Sequence, residues 1–141
     1  MKIKKKLEPI ASGLSAAVVI SILAFLTYEV AGIWLMFSFG ATVFIVFVLY
    51  DLETAQPKNI FFGHLVSILV GIIINETIGL SFYSLGFAVG ISVILMIYFK
   101  IMHPPAASNP LVALSMDLSF DYVLFPVIAG ALIIIITSII I

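Results

Sequence analysis

The sequence contains no cysteine and very few charged side chains. Without cysteine the chain can form neither disulfide bonds nor thiolate metal sites. Only 9% of its 141 residues are charged, 64% are hydrophobic, and the mean hydropathy is +1.36. These values lie far outside the usual composition of soluble globular domains. The sequence therefore predicts a single membrane domain that covers residues 1–141.

Motifs of common enzymes are also missing. The sequence has no HExxH, no GxSxG and no phosphate-binding glycine loop. Its two histidines, His64 and His103, stand in different segments, and no carboxylates repeat near them at helical spacing. We therefore expect no metal site, no cofactor and no catalytic residues. The chain is predicted not to be an enzyme, and nucleic acid is not an expected partner.

Five apolar runs are long enough to cross a hydrocarbon layer of about 30 Å. They cover residues 9–28, 30–50, 60–80, 81–99 and 122–141, with a short turn at Glu29 and Gly32. The third run is the weakest because it contains His64 and Glu76. Residues 106–116 would reach only about 16 Å as a helix, which predicts a short re-entrant or interfacial helix. The predicted fold is an all-α membrane bundle of five transmembrane helices.

The distribution of lysine orients this bundle. All six basic residues are lysines, and they fall in segments 1–8, 51–59 and 100–121. Five spans place these segments on one side, and cytoplasmic loops carry an excess of basic residues. The sequence therefore predicts an integral protein of the cell membrane, surrounded by lipid, with a cytoplasmic N-terminus and an external C-terminus. The first apolar run is too long for a signal peptide and lacks a clear cleavage site.

Small residues recur at spacings of four in three of the spans. They are Gly63, Ser67, Gly71, Asn75 and Gly79 in the third span, Gly86 and Gly90 in the fourth, and Gly13, Ala17 and Ser21 in the first. Because lipid tails are as apolar as leucine, close backbone approach has to drive helix association. We therefore expect spans one, three and four to pack tightly. Five spans enclose little volume, so the sequence also predicts a homo-oligomer, either a dimer or a trimer.

Three polar segments interrupt the apolar sequence: residues 37–42, residues 56–64 and residues 103–109. Proline ends an incoming helix but suits the first turn of an outgoing one, so helices are predicted to begin at Pro57 and Pro105. The first amides of such helices lack intrahelical acceptors and carry a positive partial charge that can bind an anion. The alternatives are close packing in the first segment, an interhelical hydrogen bond from His64, and a simple helix end at the third.

The same three segments resemble motifs of the HPP family of integral membrane proteins. Residues 39–42 read FGAT, like the family's FGA[ST] element, and residues 55–67 resemble its AQPxNxxxGHxxS element. Residues 103–107 read HPPAA, where many members have HPPAG. The resemblance covers nearly the whole chain from about residue 10. Plant plastid members are described as nitrite transporters, so the resemblance implies transport of a small inorganic anion.

Together these observations predict a transporter or channel for a small inorganic anion such as nitrite. The predicted binding residues are Gly40, Ala41, Thr42, Gln56, Lys58, Asn59, His64, His103, Ala106, Ala107 and Ser108. The alternative is a non-transporting membrane assembly or partner-binding subunit. Asp51 and Glu53 make the 51–59 loop net negative, which opposes steering of anions. Glu76 is interpreted as an interfacial carboxylate rather than a proton relay.

Overall fold

The computed structural model describes residues 2–30 and 34–141, with side chains from residue 8 onward. Helix makes up 82% of the structure, and these ranges contain no strand, so the all-α prediction is confirmed. The α-helices are α1 (Lys2–Glu29), α2 (Phe37–Val48), α3 (Pro57–Ile78), α4 (Phe82–Tyr98), α5 (Asn109–Ser115) and α6 (Ala129–Ile140). Shorter helical pieces are the 3₁₀ turns Glu53–Ala55 and Pro104–Ser108 and the π-helical segment Val123–Ile128.

Three helices are long and apolar enough to cross a membrane, namely Glu8–Glu29, Pro57–Ile78 and Val123–Ile140. Helices α2 and α4 are apolar but shorter. The predicted second span is shortened, because residues 34–36 are not helical. Gly32 of the predicted turn lies outside the described residues. Helix α3 begins at Pro57, as the proline rule predicts, and extended Gln56 precedes it.

Helices α1 and α2 form an antiparallel pair that defines the two ends of the bundle. Near one end the Ser12 hydroxyl donates to the Phe47 carbonyl over 3.0 Å. Near the other end the Thr27 hydroxyl accepts from the amides of Trp34 and Leu35, at 3.1 and 3.0 Å. We call the first end, which includes the start of α1, the turn Glu53–Ala55 and the loop at Lys100, the lysine end. The second is the Trp34 end.

The segment after α4 runs along the whole of α3. Asn59 donates to the Met102 carbonyl at the lysine end. A Cβ on Gly63 would lie 2.8 Å from that of His103, and a Cβ on Gly71 would lie 2.7 Å from the Cα of Pro110. At the Trp34 end, Asn75 donates to the Asp117 carboxylate over 2.7 Å. Residues 102–117 therefore lie parallel to residues 59–75.

This path corrects the sequence-based topology. A re-entrant helix would return to the end at which it began, whereas residues 102–117 finish at the opposite end, so that prediction is wrong. The chain then packs Phe125 edge-on against Trp34, with ring centroids 5.0 Å apart, and α6 starts beside Phe39 and runs back among α1, α2 and α3. The described chain thus makes six passes between the ends of the bundle rather than five. The C-terminus points toward the lysine end, not away from it.

Two left-handed residues reverse the chain at the ends of this added pass. Lys100 has φ 54°, and the next residue, Ile101, donates its amide to the Met96 carbonyl over 2.9 Å. Asp117 has φ 51°, and Leu118 donates in the same way to Ala113 over 2.9 Å. Both are Schellman ends, a motif in which glycine usually holds the left-handed position. Because neither residue is glycine, these reversals carry no strong sequence signal.

Candidate functional site

The centre of the bundle holds a cluster of four fully buried polar side chains. Thr42, His64, His103 and Asn109 each have 0% exposure. They come from α2, α3, the residue before the 3₁₀ turn Pro104–Ser108, and the start of α5. We call these four residues the histidine cluster. Burying polar groups in an apolar bundle is costly unless each finds a hydrogen-bond partner.

The Thr42 hydroxyl joins the two imidazoles. Its Oγ1 lies 2.9 Å from Nε2 of His64 and 3.0 Å from Nε2 of His103. The Ser38 carbonyl lies 3.0 Å from the same oxygen. On the outer sides of the rings, His103 Nδ1 is 2.8 Å from the Thr54 carbonyl, and His64 Nδ1 is 2.9 Å from Asn109 Nδ2. All four ring nitrogens therefore have a partner.

The partners at the two ends fix the positions of the hydrogens. A carbonyl only accepts, so His103 must carry its hydrogen on Nδ1, and a neutral ring then accepts at Nε2. With its single hydrogen turned to His103 instead of the Ser38 carbonyl, which is also 3.0 Å away, the Thr42 hydroxyl accepts from the Nε2–H of His64. Nδ1 of His64 accepts from the Asn109 amide. One continuous chain of hydrogen bonds thus runs from Asn109 to Thr54, with both imidazoles neutral and in opposite tautomers.

Asn109 is held by groups on one turn of α3. Its Nδ2 also donates to Ser67 Oγ over 2.9 Å and approaches the His64 carbonyl at 3.3 Å. The Ser67 hydroxyl itself donates to the His64 carbonyl over 3.1 Å. The other Asn109 amide atom, Oδ1, is buried and has no hydrogen-bond partner among the described residues. The NH₂ group of Asn109 therefore has hydrogen-bond partners, whereas its carbonyl oxygen has none among the described residues.

Apolar and backbone contacts hold the cluster in place. The Phe39 ring meets His64 edge-on, with centroids 5.3 Å apart, and the two histidine rings are 5.0 Å apart. Asn59, which is 3% exposed, donates through Nδ2 to the carbonyls of Glu53 and Met102, at 3.0 and 3.2 Å. It therefore ties the turn that carries Thr54 to the segment that carries His103. Asn59 positions the cluster without belonging to it.

The structure brings the three predicted polar segments together but uses fewer of their residues. Thr42, His64 and His103 form hydrogen bonds with one another. Asn59 and Ala106, which are near His64 and His103 in the sequence, are buried. Gly40, Ala41, Gln56 and Lys58 are exposed, while Ala107 and Ser108 are half-buried. The Ser108 hydroxyl donates to the Pro105 carbonyl over 2.9 Å.

The predicted free amides are not all free. The Asn59 amide donates to the Gln56 carbonyl over 2.9 Å, and the Ala106 amide donates to the His103 carbonyl over 3.0 Å. The second helix also differs from the prediction, since it begins at Pro104 as a 3₁₀ turn and continues as the seven-residue α5. The prediction assumed α-helical hydrogen bonds, which leave the first four amides without an acceptor. In a 3₁₀ turn each amide donates to the carbonyl three residues before it, so one amide fewer lacks an acceptor. Neither start presents the open row of donors that the sequence predicted.

Two side chains of the site were not among the predicted binding residues. Asn109 is the last residue of the third polar segment, and Ser67 lies on the four-residue stripe of small residues in α3. Ser67 could have been found by asking which polar residues share the helix face of His64, whereas Asn109 lies on another segment and the sequence gives no signal for its contact with His64. Glu76 is exposed at the far end of α3. No group of three or more His, Asp or Glu side chains that could hold a metal occurs within the part of the chain that the structure describes.

Sequence comparison agrees with this arrangement of motifs. The profile of the HPP transmembrane region matches residues 2–141. The chain belongs to the HPP family. Two proteins of Dictyostelium discoideum, both named only as transmembrane proteins, are similar to this HPP protein. One is 30% identical over 152 residues, which cover 99% of this chain and 49% of the relative.

The second relative is 29% identical over 114 residues, which cover 74% of this chain and 39% of the relative. This HPP chain therefore spans half or less of the length of the curated relatives that it matches. No solved structure matches it. Membership of the family and a membrane-spanning helical fold are thus established, and the relatives' names say nothing of what they bind.

Proposed function

We propose that this chain carries a small inorganic anion, such as nitrite, across the membrane. The observation that carries the proposal is the meeting of three separate polar segments at Thr42, His64 and His103. The two histidines lie 22 and 61 positions from Thr42 along the chain, yet all three residues are fully buried at one point of the bundle. Ionisable side chains inside a membrane are rare and face the bundle interior, where they mark solute and ion pathways.

The chemistry of the cluster suits an anion. Imidazole N–H and amide N–H groups are donors, and an imidazole that gains a proton adds a positive charge. None of the four residues carries a carboxylate that would repel an anion. The donors in this proposal are the side chains of the cluster, which would exchange their present hydrogen-bond partners for the anion. The path is proposed to cross the bundle beside the fifth pass.

The proposal includes an orientation in the cell membrane. With six passes the lysine-bearing segments 1–8, 51–59 and 99–102 lie at one end of the bundle, and basic residues favour the cytoplasmic side. We therefore place both termini in the cytoplasm. A reporter fused after Ile141 is expected to read as cytoplasmic, and an external signal would contradict the combination of six passes with a cytoplasmic N-terminus.

Two further parts of the proposal concern chemistry and assembly. We assign the chain no catalysed reaction and no cofactor, because transport needs only binding and a change of access.

We also propose a dimer or trimer in lipid. A Cβ added to Gly86 or Gly90 of α4 would have nothing within 4 Å, so that helix face is open to a neighbouring copy or to lipid.

Nitrite uptake into vesicles tests the proposal. The full chain is purified and reconstituted into liposomes, and an inward nitrite gradient is applied at neutral pH, with protein-free vesicles as the background. We expect uptake above background that falls at least about tenfold in His103→Ala and stays at the parent level in Glu76→Gln, which removes an exposed charge. Uptake equal to that of empty vesicles would overturn the proposal.

A second candidate function is a membrane assembly subunit. Two observations favour it: the ring nitrogens of the cluster are all satisfied within the chain, and α1 and α2 leave an apolar groove of about 770 Å³ between them. Gly13 and Gly40 line this groove. Absence of nitrite uptake together with a stable complex of defined mass in lipid would favour this candidate over transport.

A further inference from the structure

The hydrogen-bonded chain through the histidine cluster has the form of a proton pathway. Two imidazoles face one hydroxyl that has a single hydrogen, at 2.9 and 3.0 Å. Both distances are short enough for proton transfer. A purely structural cluster would need only fixed hydrogen bonds, whereas this one places two groups of the same intrinsic basicity on either side of a group that can both donate and accept.

We propose that the Thr42 hydroxyl relays a proton between His64 and His103 and so couples anion movement to proton movement. The coupling rests on the transport function proposed above, whereas the relay itself does not. The site takes a proton as its ligand. The relay depends on the two rings and the hydroxyl between them, and not on the nature of the transported solute.

The transfer is balanced in atoms and charge. It begins when a hydronium ion that reaches the opened site gives its proton to Nδ1 of His64, so that this ring is positive, and it is completed when His103 gives a proton from Nδ1 back to water. The Thr42 hydrogen passes to Nε2 of His103 while the Nε2 hydrogen of His64 passes to the Thr42 oxygen. One O–H and one N–H bond break, one O–H and one N–H bond form, and the positive charge moves from His64 to His103. The hydroxyl ends with its hydrogen pointing to His64.

The geometry limits the pair to one extra proton. With both rings doubly protonated, two Nε2–H groups would face the Thr42 oxygen, which would then have to turn its hydrogen to the Ser38 carbonyl, 3.0 Å away. Two positive rings with centroids 5.0 Å apart would also repel each other strongly in an apolar interior. The charge therefore belongs to the pair and not to either ring alone.

Asn109 matches the charged state as well as the neutral one. A protonated Nδ1 on His64 needs an acceptor in place of the Asn109 NH₂ group. Rotating this amide by half a turn presents Oδ1, the buried atom that lacks a partner in the neutral arrangement, to that nitrogen and to Ser67 Oγ. A side chain whose unused acceptor lies one rotation from the proton is suited to respond to charge on His64.

Other charged groups on the surrounding elements do not face the pair. Glu53 in the turn beside Thr54, Lys58 and Glu76 on α3, and Lys100 after α4 are all exposed. Asp117 at the end of α5 is exposed and accepts from Asn75. The tyrosines of α4, Tyr83 and Tyr98, are exposed too. Tyr122, which precedes the segment Val123–Ile128, is half-buried against the apolar core, and its phenol is not among the hydrogen-bond partners of the pair. The two histidine rings contact each other, with centroids 5.0 Å apart.

The relay is tested by nitrogen NMR of the full chain in lipid nanodiscs with ¹⁵N-labelled histidine. The chain has only two histidines, so the spectrum contains four ring-nitrogen signals. At neutral pH we expect one ring with its hydrogen on Nε2 and the other with its hydrogen on Nδ1. On acidification both rings are expected to shift together as they share one proton.

Two variants separate a relay from a structural bridge. Thr42→Ser keeps the hydroxyl and is expected to behave as the parent does. Thr42→Val keeps the shape but removes the hydroxyl, so the two rings are expected to titrate separately. Identical tautomers in the parent, or joint titration that persists in Thr42→Val, would overturn the relay. The parent spectrum alone decides the tautomers if Thr42→Val does not fold.

A flux measurement then tests the coupling. A pH-sensitive dye inside the vesicles reports proton entry, and nitrite uptake is measured in the same vesicles. Protein-free vesicles correct for nitrous acid that crosses the lipid unaided. We expect proton entry with nitrite in the parent and in Thr42→Ser, and a loss of at least about tenfold in Thr42→Val. Nitrite uptake without protons would overturn the coupling and leave transport intact. Opposite tautomers in the NMR spectrum together with no nitrite uptake would support the relay and overturn the transport function.

Discussion

Helices α3 and α4 contain similar small residues but use them differently. In α3 the positions of Gly63 and Gly71 are filled by His103, Pro110 and Ala113, which approach the helix backbone. In α4 a Cβ on Gly86 or Gly90 would meet nothing within 4 Å. The predicted tight packing of spans one, three and four is therefore right for Gly63 and Gly71 of the α3 stripe, whereas a Cβ on Gly79, at its end, would meet nothing within 4 Å. It is wrong within the chain for Gly86 and Gly90, and Gly13 of α1 also faces open space.

The difference shows what a small-residue pattern needs before it indicates a contact. The α3 stripe also contains Ser67 and Asn75, and His64 lies next to it; each of the three bonds to a residue on another segment of the bundle. The α4 pair has only apolar neighbours on its open face. Polar residues in the same stripe require a partner inside the bundle, whereas glycines alone do not.

The largest expected effect comes from filling the two kinds of glycine position. Gly71→Ala places a Cβ 2.7 Å from the Cα of Pro110 and 2.8 Å from the Cβ of Ala113, so α3 and α5 must separate. We expect the free energy of unfolding to fall by about 1–3 kcal/mol. Gly90→Ala is the matched control and should be neutral or slightly stabilising. Detergent titration of both variants in mixed micelles measures this, and equal stability would break the comparison.

A serine pair tests the polar half of the comparison. Ser67 of α3 and Ser92 of α4 are both 0% exposed, but only Ser67 has partners, whereas Ser92 Oγ has none among the described residues. Ser67→Ala leaves an Asn109 donor without its acceptor and is expected to cost about 1–2 kcal/mol. Ser92→Ala is expected to be neutral or stabilising. A greater loss of stability in Ser92→Ala would show that α4 has a polar partner outside this chain.

The ends of the two helices should respond in opposite directions to changes at the left-handed residue. Gly79 closes α3 at φ 76°, and Lys100 follows α4 at φ 54°. Gly79→Ala adds a Cβ in a conformation that glycine favours and is expected to cost about 1 kcal/mol. Lys100→Gly relieves the same strain and is expected to add up to about 1 kcal/mol. The difference between the two unfolding free energies is the measured quantity, and changes of the same sign would contradict the explanation.

The smallest effects are expected at the Trp34 end of α3. Asn75→Ala removes the 2.7 Å hydrogen bond to Asp117 on an exposed surface and is expected to cost about 0.5–1 kcal/mol. Glu76→Gln, at the next position, changes an exposed side chain and should leave both stability and nitrite uptake within error. A strong loss of uptake in Glu76→Gln would move the proton pathway away from the histidine cluster.

The sequence predicts local features of this fold better than it predicts the route of the chain. Pro57 correctly marks the start of α3, and the apolar runs correctly mark where helices form. The fifth pass was not predicted because its reversals use Lys100 and Asp117 instead of glycine. Its two short helical pieces together reach about 20 Å, and only contact with α3 holds them across the bundle.

The site divides in a similar way. Motif resemblance pointed to Thr42, His64 and His103, and the structure joins them. The hydrogen bonds of the backbone amides after His103 could not be predicted from the sequence, because they depend on a 3₁₀ turn that starts at Pro104 in place of an α-helix. The role of Asn109 depends on a contact 45 residues away, with His64, and a single sequence gives no signal for that pairing.

The end of the fifth pass at Asp117 has a consequence for duplication of this chain. An even number of passes brings the polypeptide back to the end of the bundle at which it started. Two copies joined head to tail would then face the same way in a membrane, with no extra helix between them. An odd number would produce an inverted pair, the arrangement on which many transporters are built. A tandem fusion through a short polar linker is therefore expected to give two parallel, equally oriented units.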